Sequence, residues 1–211
     1  LINKNEKYYS FERKDLVAIV PLIEGAVLDV GCGDGATMAY LLGSGINDVT
    51  GIECDYNAYI RAKNKGFNVI NADIEKDSID LEEKKYDFIL FGDVLEHLYD
   101  PWNTLDKFKK FLKKDGTFLI SIPNIKHYRI LRKFLFSDEW RYTEAGILDI
   151  THIRFFTRKE ALRMIEESGL QVSVLKYKTN KNILFRVVSL FAKNWVMTIW
   201  PEQFLIAAKV K

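Results

Sequence analysis

The 211 residues suit one domain of ordinary size, and a hydrophobic content of 48% is enough for a packed core. A net charge of +2 excludes the global field that marks a general nucleic-acid binder. Two cysteines, Cys32 and Cys54, exclude a disulfide framework and suit a reduced, cytoplasmic setting. No apolar run reaches the ~18 residues of a membrane span, and "LINKNEKYYSFERKD" holds no signal-peptide core.

In chain order, residues 1–24 read as an N-terminal cap on a core of alternating strands and helices over 25–123. "AVLDV" (26–30) is a strand, followed by a glycine-rich turn and a helix through about Leu42. "DVTGIE" (48–53) leads to the helix "YNAYIRAKNKG", which stops at Gly66. "FNVINA" (67–72) and "YDFILFG" (86–92) are strands. "PWNTLDKFKKFLKKDG" opens with Pro and closes with Gly, and Trp102, Leu105, Phe108 and Leu112 predict its apolar face. "TFLISIP" (117–123) is the fifth strand. Residues 124–156 read as an irregular, aromatic and basic insertion on the substrate side, and Asp100–Phe136 carries nine Lys/Arg against three acids.

Residues 157–211 close the chain with helices and strands. "TRKEALRMIEESG" is a helix with Thr157 as N-cap and Glu160 completing a capping box. "LQVSVLKY" (170–177) alternates as a strand, residues 181–200 read as a very apolar helix, and "QFLIAAKV" (203–210) is the last strand. Near-continuous apolar strands in this rhythm predict a mostly parallel sheet covered by helices on both faces.

The turn "GCGDG" (31–35) stands where ligands bind in such sheets, beyond the carboxyl end of the first strand. "GCGDGA" satisfies G-x-G-x-x-G/A, with Glu53 placed for a ribose hydroxyl, so a nicotinamide oxidoreductase remains an alternative. No Lys-Ser/Thr follows, which excludes a P-loop. Asp29, Asp34 and Asp93 make the edge acidic, which repels a pyrophosphate and favours a sulfonium amino acid. A fold retained as a non-catalytic scaffold is a further alternative.

The motifs "VLDVGCGDG", "GIECD", "NADIEK" and "DFILFGDVLEHLYDP…LKKDGTFLISIPN" resemble those of the class I S-adenosylmethionine-dependent methyltransferases, from about Tyr8 to Leu170. The resemblance implies a Rossmann-like seven-stranded, mostly parallel sheet with an antiparallel last strand, and S-adenosyl-L-methionine as cofactor. It implies that Asp29, Gly31, Cys32 and Gly33 hold the methionine part while Gly35 keeps the turn open. It likewise implies that Glu53 binds the ribose hydroxyls, that Asp73 accepts from the adenine amine, and that Ile74 and Cys54 lie against the ring. The resemblance further implies that Gly92 and Asp93 line the methionine end and that an N-terminal helix brings Tyr8, Tyr9 and Arg13 over the pocket.

Methyl transfer to a hydroxyl benefits from a base, and only three histidines are present. His97, His127 and His152 each follow a strand toward the ligand edge. His152 and His127 are the preferred catalytic pair, with Asp149 as orienting carboxylate. In "DVLEHL", Asp93, Glu96 and His97 share one face if helical, and the similar ubiquinone-biosynthesis O-methyltransferases are implied to place a metal there. A metal-free reading is preferred, because the Glu-His pair also occurs in methyltransferases without one.

Residues 143–170 resemble a pattern of methyltransferases from surface-glycan and glycolipid pathways, which implies a small-molecule or glycan-type acceptor. Trp140, Tyr142, Arg129, Arg132, Arg141 and Arg154 supply stacking and anion-gripping groups, whereas Phe155 and Phe156 read as core. No nucleic-acid partner is expected, since the residues after the fourth strand do not form the Asn/Asp-Pro-Pro-aromatic motif. Residues 181–200 suit packing on the domain, a homodimer or peripheral membrane contact.

Overall fold

A computed structural model describes residues 4, 6–179 and 196–211. In chain order the elements are α1 (Glu6–Tyr9), α2 (Lys14–Val17), β1 (Ala26–Val30), α3 (Ala36–Gly43), β2 (Asp48–Glu53), α4 (Tyr56–Asn64) and β3 (Asn68–Asn71). They continue with β4 (Tyr86–Gly92), α5 (Pro101–Phe108), β5 (Leu112–Pro123), α6 (Tyr128–Ser137), α7 (Arg158–Glu167), β6 (Leu170–Lys178) and β7 (Gln203–Val210). The helix expected over 181–200 lies outside the described residues except for its last five, of which Val196, Ile199 and Trp200 are buried.

The strands form one sheet in the order β3-β2-β1-β4-β5-β7-β6. β7 pairs antiparallel with both β5 and β6, while the pairs among β1 to β5 are parallel. Strand order reverses between β1 and β4, which opens the crevice at their carboxyl ends.

All five residues of β1 are buried, because helices cover both of its faces. Successive side chains alternate between those faces. Leu28 and Val30 enter the core with Leu105 and Phe108 of α5 and Ala161, Met164 and Ile165 of α7. Val27 enters the opposite core with Leu16 of α2, Met38 and Leu41 of α3 and Ala62 of α4. Asp29, two residues on, shares the Val27 face and so meets the N-terminal side of the molecule.

The caps follow the sequence. Asp55 accepts from the Ala58 N–H (2.8 Å) to start α4, and Asp100 accepts from the Asn103 N–H (3.0 Å) to start α5 behind Pro101. Thr157 accepts from the Glu160 N–H, but the Glu160 carboxylate turns to Arg163 (3.1 Å), so only half of the expected capping box forms.

Two elements differ from expectation. α5 ends at Phe108, and Leu112, expected on its apolar face, opens β5 opposite Tyr86. The register then shifts so that Phe88 faces Thr117 and Lys113–Gly116 bulges out. Sheet pairing overrides the helical spacing there. The 124–156 insertion is not irregular throughout, since Tyr128–Ser137 forms α6 with no buried residue.

Candidate active site

The chain leaves β1 through Gly31 (φ +70°), Gly33 (φ +57°) and Gly35 (φ +86°), a run of left-handed backbone that side chains disfavour. The Gly31 and Cys32 N–H groups donate to the Ile52 carbonyl (2.8 and 3.1 Å), which ties the turn to β2. The Gly33 N–H donates to Glu53 Oε2 and the Asp55 N–H to Glu53 Oε1, both at 2.8 Å. The glycine at 33 has a second cause. A Cβ there would lie 2.2 Å from the Tyr9 carbonyl oxygen, which itself accepts from the Asp34 N–H (3.0 Å). Ser10 donates to Asp34 Oδ2 (2.7 Å), so α1 is laid directly over the turn.

Beneath this cover the acids are desolvated. Asp29 is 5% exposed, and its Oδ2 has no hydrogen-bond partner among the described residues. Burial, then the Glu53 charge, pushes its carboxyl up to about 7, against a smaller pull from Arg13. Burial also raises Glu53, while the N–H groups of Asp55 and Gly33 pull it back. The Cys32 thiol, buried beside these acids, is pushed well up and stays protonated. Cys54 is exposed, and Ile74 sits in the core. Asp73 pairs with Lys76 and accepts from the Glu75 N–H, and these contacts bring its carboxyl below the usual range against the effect of burial.

Arg13 anchors the N-terminal side of the ligand edge. Its Nη1 lies 2.7 Å from Asp93 Oδ2 and donates to Ser121 Oγ (2.7 Å), and its Nε donates to Asp15 (3.0 Å). Its Cγ would lie 3.2 Å from a Cβ at Gly92. Gln203 Nε2 donates to both Asp93 oxygens (3.1 and 3.0 Å), and Ser121 Oγ donates to Oδ1 (2.6 Å). The sequence motifs do not single out Ser121 or Gln203. Their signal is a single polar residue at the ligand-side end of an apolar strand.

The histidines gather differently from expectation. The residues after Asp93 form only a short 3-10 turn, Leu95–His97, and Asp93 is drawn to Arg13 rather than to Glu96. The Ile153 and Arg154 N–H groups both donate to the Glu96 carbonyl at 3.0 Å, which brings the insertion onto this turn. His97 and His152 meet edge to face with ring centroids 4.6 Å apart. His97 Nδ1 donates to the Thr151 carbonyl (3.1 Å), leaving Nε2 to accept from Tyr8 Oη (3.3 Å). His152 Nδ1 donates to the Ile147 carbonyl (3.1 Å), and its Nε2 faces Glu96 Oε1 at 3.8 Å. Glu96 is 1% exposed, and neither carboxylate oxygen has a hydrogen-bond partner among the described residues.

Burial lowers both imidazoles, His97 to about 4 with the neighbouring His152 as second cause, and raises Glu96 well above the usual range. Burial thus disfavours the charged form of each of the three groups. Donor atoms of Glu96, His97 and His152 lie within 4.8 Å of one another. Asp149 does not orient the His152 ring, because its Oδ1 accepts from Thr151 and is paired with Lys4. His127 is not the ring partner of His152 either. It occupies the N-cap position of α6 without a side-chain cap bond and packs on Tyr128, and burial, then Arg129, lowers it to about 4. Phe156 is buried as expected, and Phe155 packs edge-on to Trp140 (5.7 Å).

Comparison with known proteins fits this geometry. Residues 9–174 match the sequence profile of a methyltransferase domain family. A ubiquinone biosynthesis O-methyltransferase of Cereibacter sphaeroides is 24% identical over 162 residues, 74% of this chain and 64% of that protein. One from Glaesserella parasuis is 33% identical over 107 residues, 46% of this chain and 45% of that protein. The chain thus spans less than two thirds of the length of these relatives. An S-adenosylmethionine-dependent methyltransferase from Mesorhizobium loti superposes with a TM-score of 0.64 at 17% identity, over 92% of this chain and 95% of that one. One from Archaeoglobus fulgidus gives 0.65 at 19% identity, over 97% and 93%. These identities show a shared fold. The profile match over most of the chain, on a glycine turn closed by a buried acid at each of two neighbouring strand ends, places this chain in the class I S-adenosylmethionine-dependent methyltransferase family.

Proposed function

We propose that this chain transfers a methyl group from S-adenosylmethionine to an oxygen of a small-molecule or glycan-type acceptor. The observation that carries the cofactor side is a pair of buried atoms at the ligand edge with no hydrogen-bond partner among the described residues, Asp29 Oδ2 and Arg13 Nη2. A free acceptor and a free donor suit the ammonium and carboxylate of an amino acid. Glu53 uses one lone pair on each oxygen for backbone N–H groups and keeps others for a ribose diol. When bound, S-adenosylmethionine supplies an electrophilic methyl group on a sulfonium. The chain must align the acceptor with it and exclude water, and such proximity is worth up to about 7–11 kcal/mol in ideal cases.

On the acceptor side, His152 is the favoured base. Its Nδ1 proton is committed to a carbonyl, so the neutral ring presents the Nε2 lone pair. Oxygen as the accepting atom is supported by the O-methyltransferase relatives, and a glycan-type acceptor by the exposed Trp140 and Tyr142 of the insertion. The test offers purified protein labelled S-adenosylmethionine with phenolic, sugar and amine acceptors. His152→Ala should lower turnover by ~10²-fold or more, the range of a positioned base, and leave cofactor affinity unchanged. Tight NAD binding with none for S-adenosylmethionine would sink the reading.

A second reading rests on the converging Glu96, His97 and His152. A carboxylate with two imidazoles, each locked through Nδ1–H on a carbonyl, fits a divalent transition-metal ion. Such an ion supplies Lewis acidity that lowers the pKa of an acceptor hydroxyl. Tyr8 Oη, which now contacts His97 Nε2, has to yield that position. Activity lost to a chelator and restored by the ion supports this reading, and a rate indifferent to chelation removes it.

A further inference from the structure

We propose that α6 is a membrane-surface helix that docks this chain on anionic lipid. The proposal goes beyond the methyl-transfer reading and does not depend on it. α6 is ten residues long and buries none of them. Its first turn is held to the domain by Tyr128, stacked on Trp200 (4.6 Å), and its second half extends outward. Its end carries three consecutive large apolar side chains, Phe134, Leu135 and Phe136, exposed to 51%, 68% and 84%. Ile130 and Leu131, one turn earlier, are half-buried against the domain. The tip therefore projects away from the protein rather than into it.

The charges around this tip choose the partner. Residues 126–141 contain Lys126, Arg129, Arg132, Lys133 and Arg141 against Asp138 and Glu139. Glu139 is taken by Lys133 (3.0 Å), and Arg129 Nε donates to Tyr128 Oη (3.1 Å) with the guanidinium exposed. Lys126, Arg132 and Arg141 are also exposed, so a cationic collar surrounds an apolar wedge. Long basic side chains reach phosphate headgroups while their alkyl stems stay against the acyl boundary. A nucleic acid satisfies the collar but leaves Leu135 and Phe136 in water. A protein partner needs a shaped acidic pocket, whereas an anionic bilayer meets both features at once. Among the described residues no helix is long and apolar enough to cross a membrane, so the contact is one of lying on the surface.

The experiment is flotation of the full chain with phosphatidylcholine vesicles, with and without ~30% phosphatidylglycerol, at low and moderate salt. Binding is expected only to the anionic vesicles and should weaken at least tenfold as salt screens the collar. Leu135→Glu with Phe136→Glu should abolish flotation, and Arg129→Gln with Arg132→Gln should reduce it about tenfold or more. These four side chains are at the surface, so unchanged circular dichroism and thermal unfolding confirm an intact fold. No flotation of the parent chain overturns the proposal, as does equal flotation of both variants. Concentration-dependent self-association lost in the Leu135/Phe136 variant, without vesicle binding, overturns it in favour of a contact between copies.

Discussion

Asp29 is a carboxyl whose charge a ligand can set. Its burial beside Glu53 brings it to about 7, so at pH 6 most molecules carry the proton. A cationic ligand favours the ionised form, and binding must then release that proton. The sign follows from the raised value. Affinity for S-adenosylmethionine should climb with pH through about 7 and level off above it, with a loss of up to about tenfold one unit below. Calorimetry at pH 6 in buffers of different ionisation enthalpy should show close to one proton released, and Asp29→Asn should remove both the release and the pH dependence. Proton-neutral binding at pH 6 contradicts this role.

At the level of elements, the glycine turn and α1 act as one unit. The Tyr9 carbonyl occupies the space a side chain at residue 33 needs and caps the Asp34 N–H. Gly33→Ala adds left-handed strain to a backbone clash, together worth about 1–3 kcal/mol. Calorimetric unfolding should show that loss, and α1 should detach before the sheet melts. Unchanged stability and cofactor affinity would falsify the idea that α1 is seated on this turn.

The same elements explain what could be read from residues alone. β1, β2, β4 and β7 match their expected limits, because strands buried on both faces are written as short apolar runs between turn residues. Leu112 misleads because it continues the spacing of Leu105 and Phe108, and only the Tyr86 pairing reveals it as a strand residue. α6 escapes because none of its residues reaches a core, so its apolar positions mark no interior face. In the site, Glu53 and Gly33 follow from motif spacing, and the structure joins them by a hydrogen bond. The pairing of His152 with Glu96 and His97 does not follow, since it depends on backbone bonds from Ile153 and Arg154 to a distant turn. Asp149, three residues from His152, looks like its partner, but Lys4 and Thr151 claim it instead.

Across the whole molecule, the first residues join the two sides of the ligand edge. Ser10 and the Tyr9 carbonyl hold the glycine turn through Asp34, Tyr8 holds His97, and Lys4 reaches Asp149 of the insertion. Arg13 fixes the segment to the strand ends through Asp93 and Ser121, and Asp15 pairs with Lys178 of β6 (2.7 Å). Removing residues 1–10 breaks the first set of contacts and spares the second. The sheet and both apolar cores contain none of the described residues among these ten, so far-UV circular dichroism should be preserved. Opening the cover wets Asp29, Glu53 and the histidine cluster together, which weakens every electrostatic contact made there. Cofactor affinity should therefore fall by about ten- to a hundredfold, the equivalent of one charge-assisted hydrogen bond, and turnover should fall as well because His97 loses Tyr8. Equilibrium binding and single-turnover rates on the shortened chain separate the two effects. If both stay at the level of the full chain, the segment is an ornament of the fold rather than part of its site.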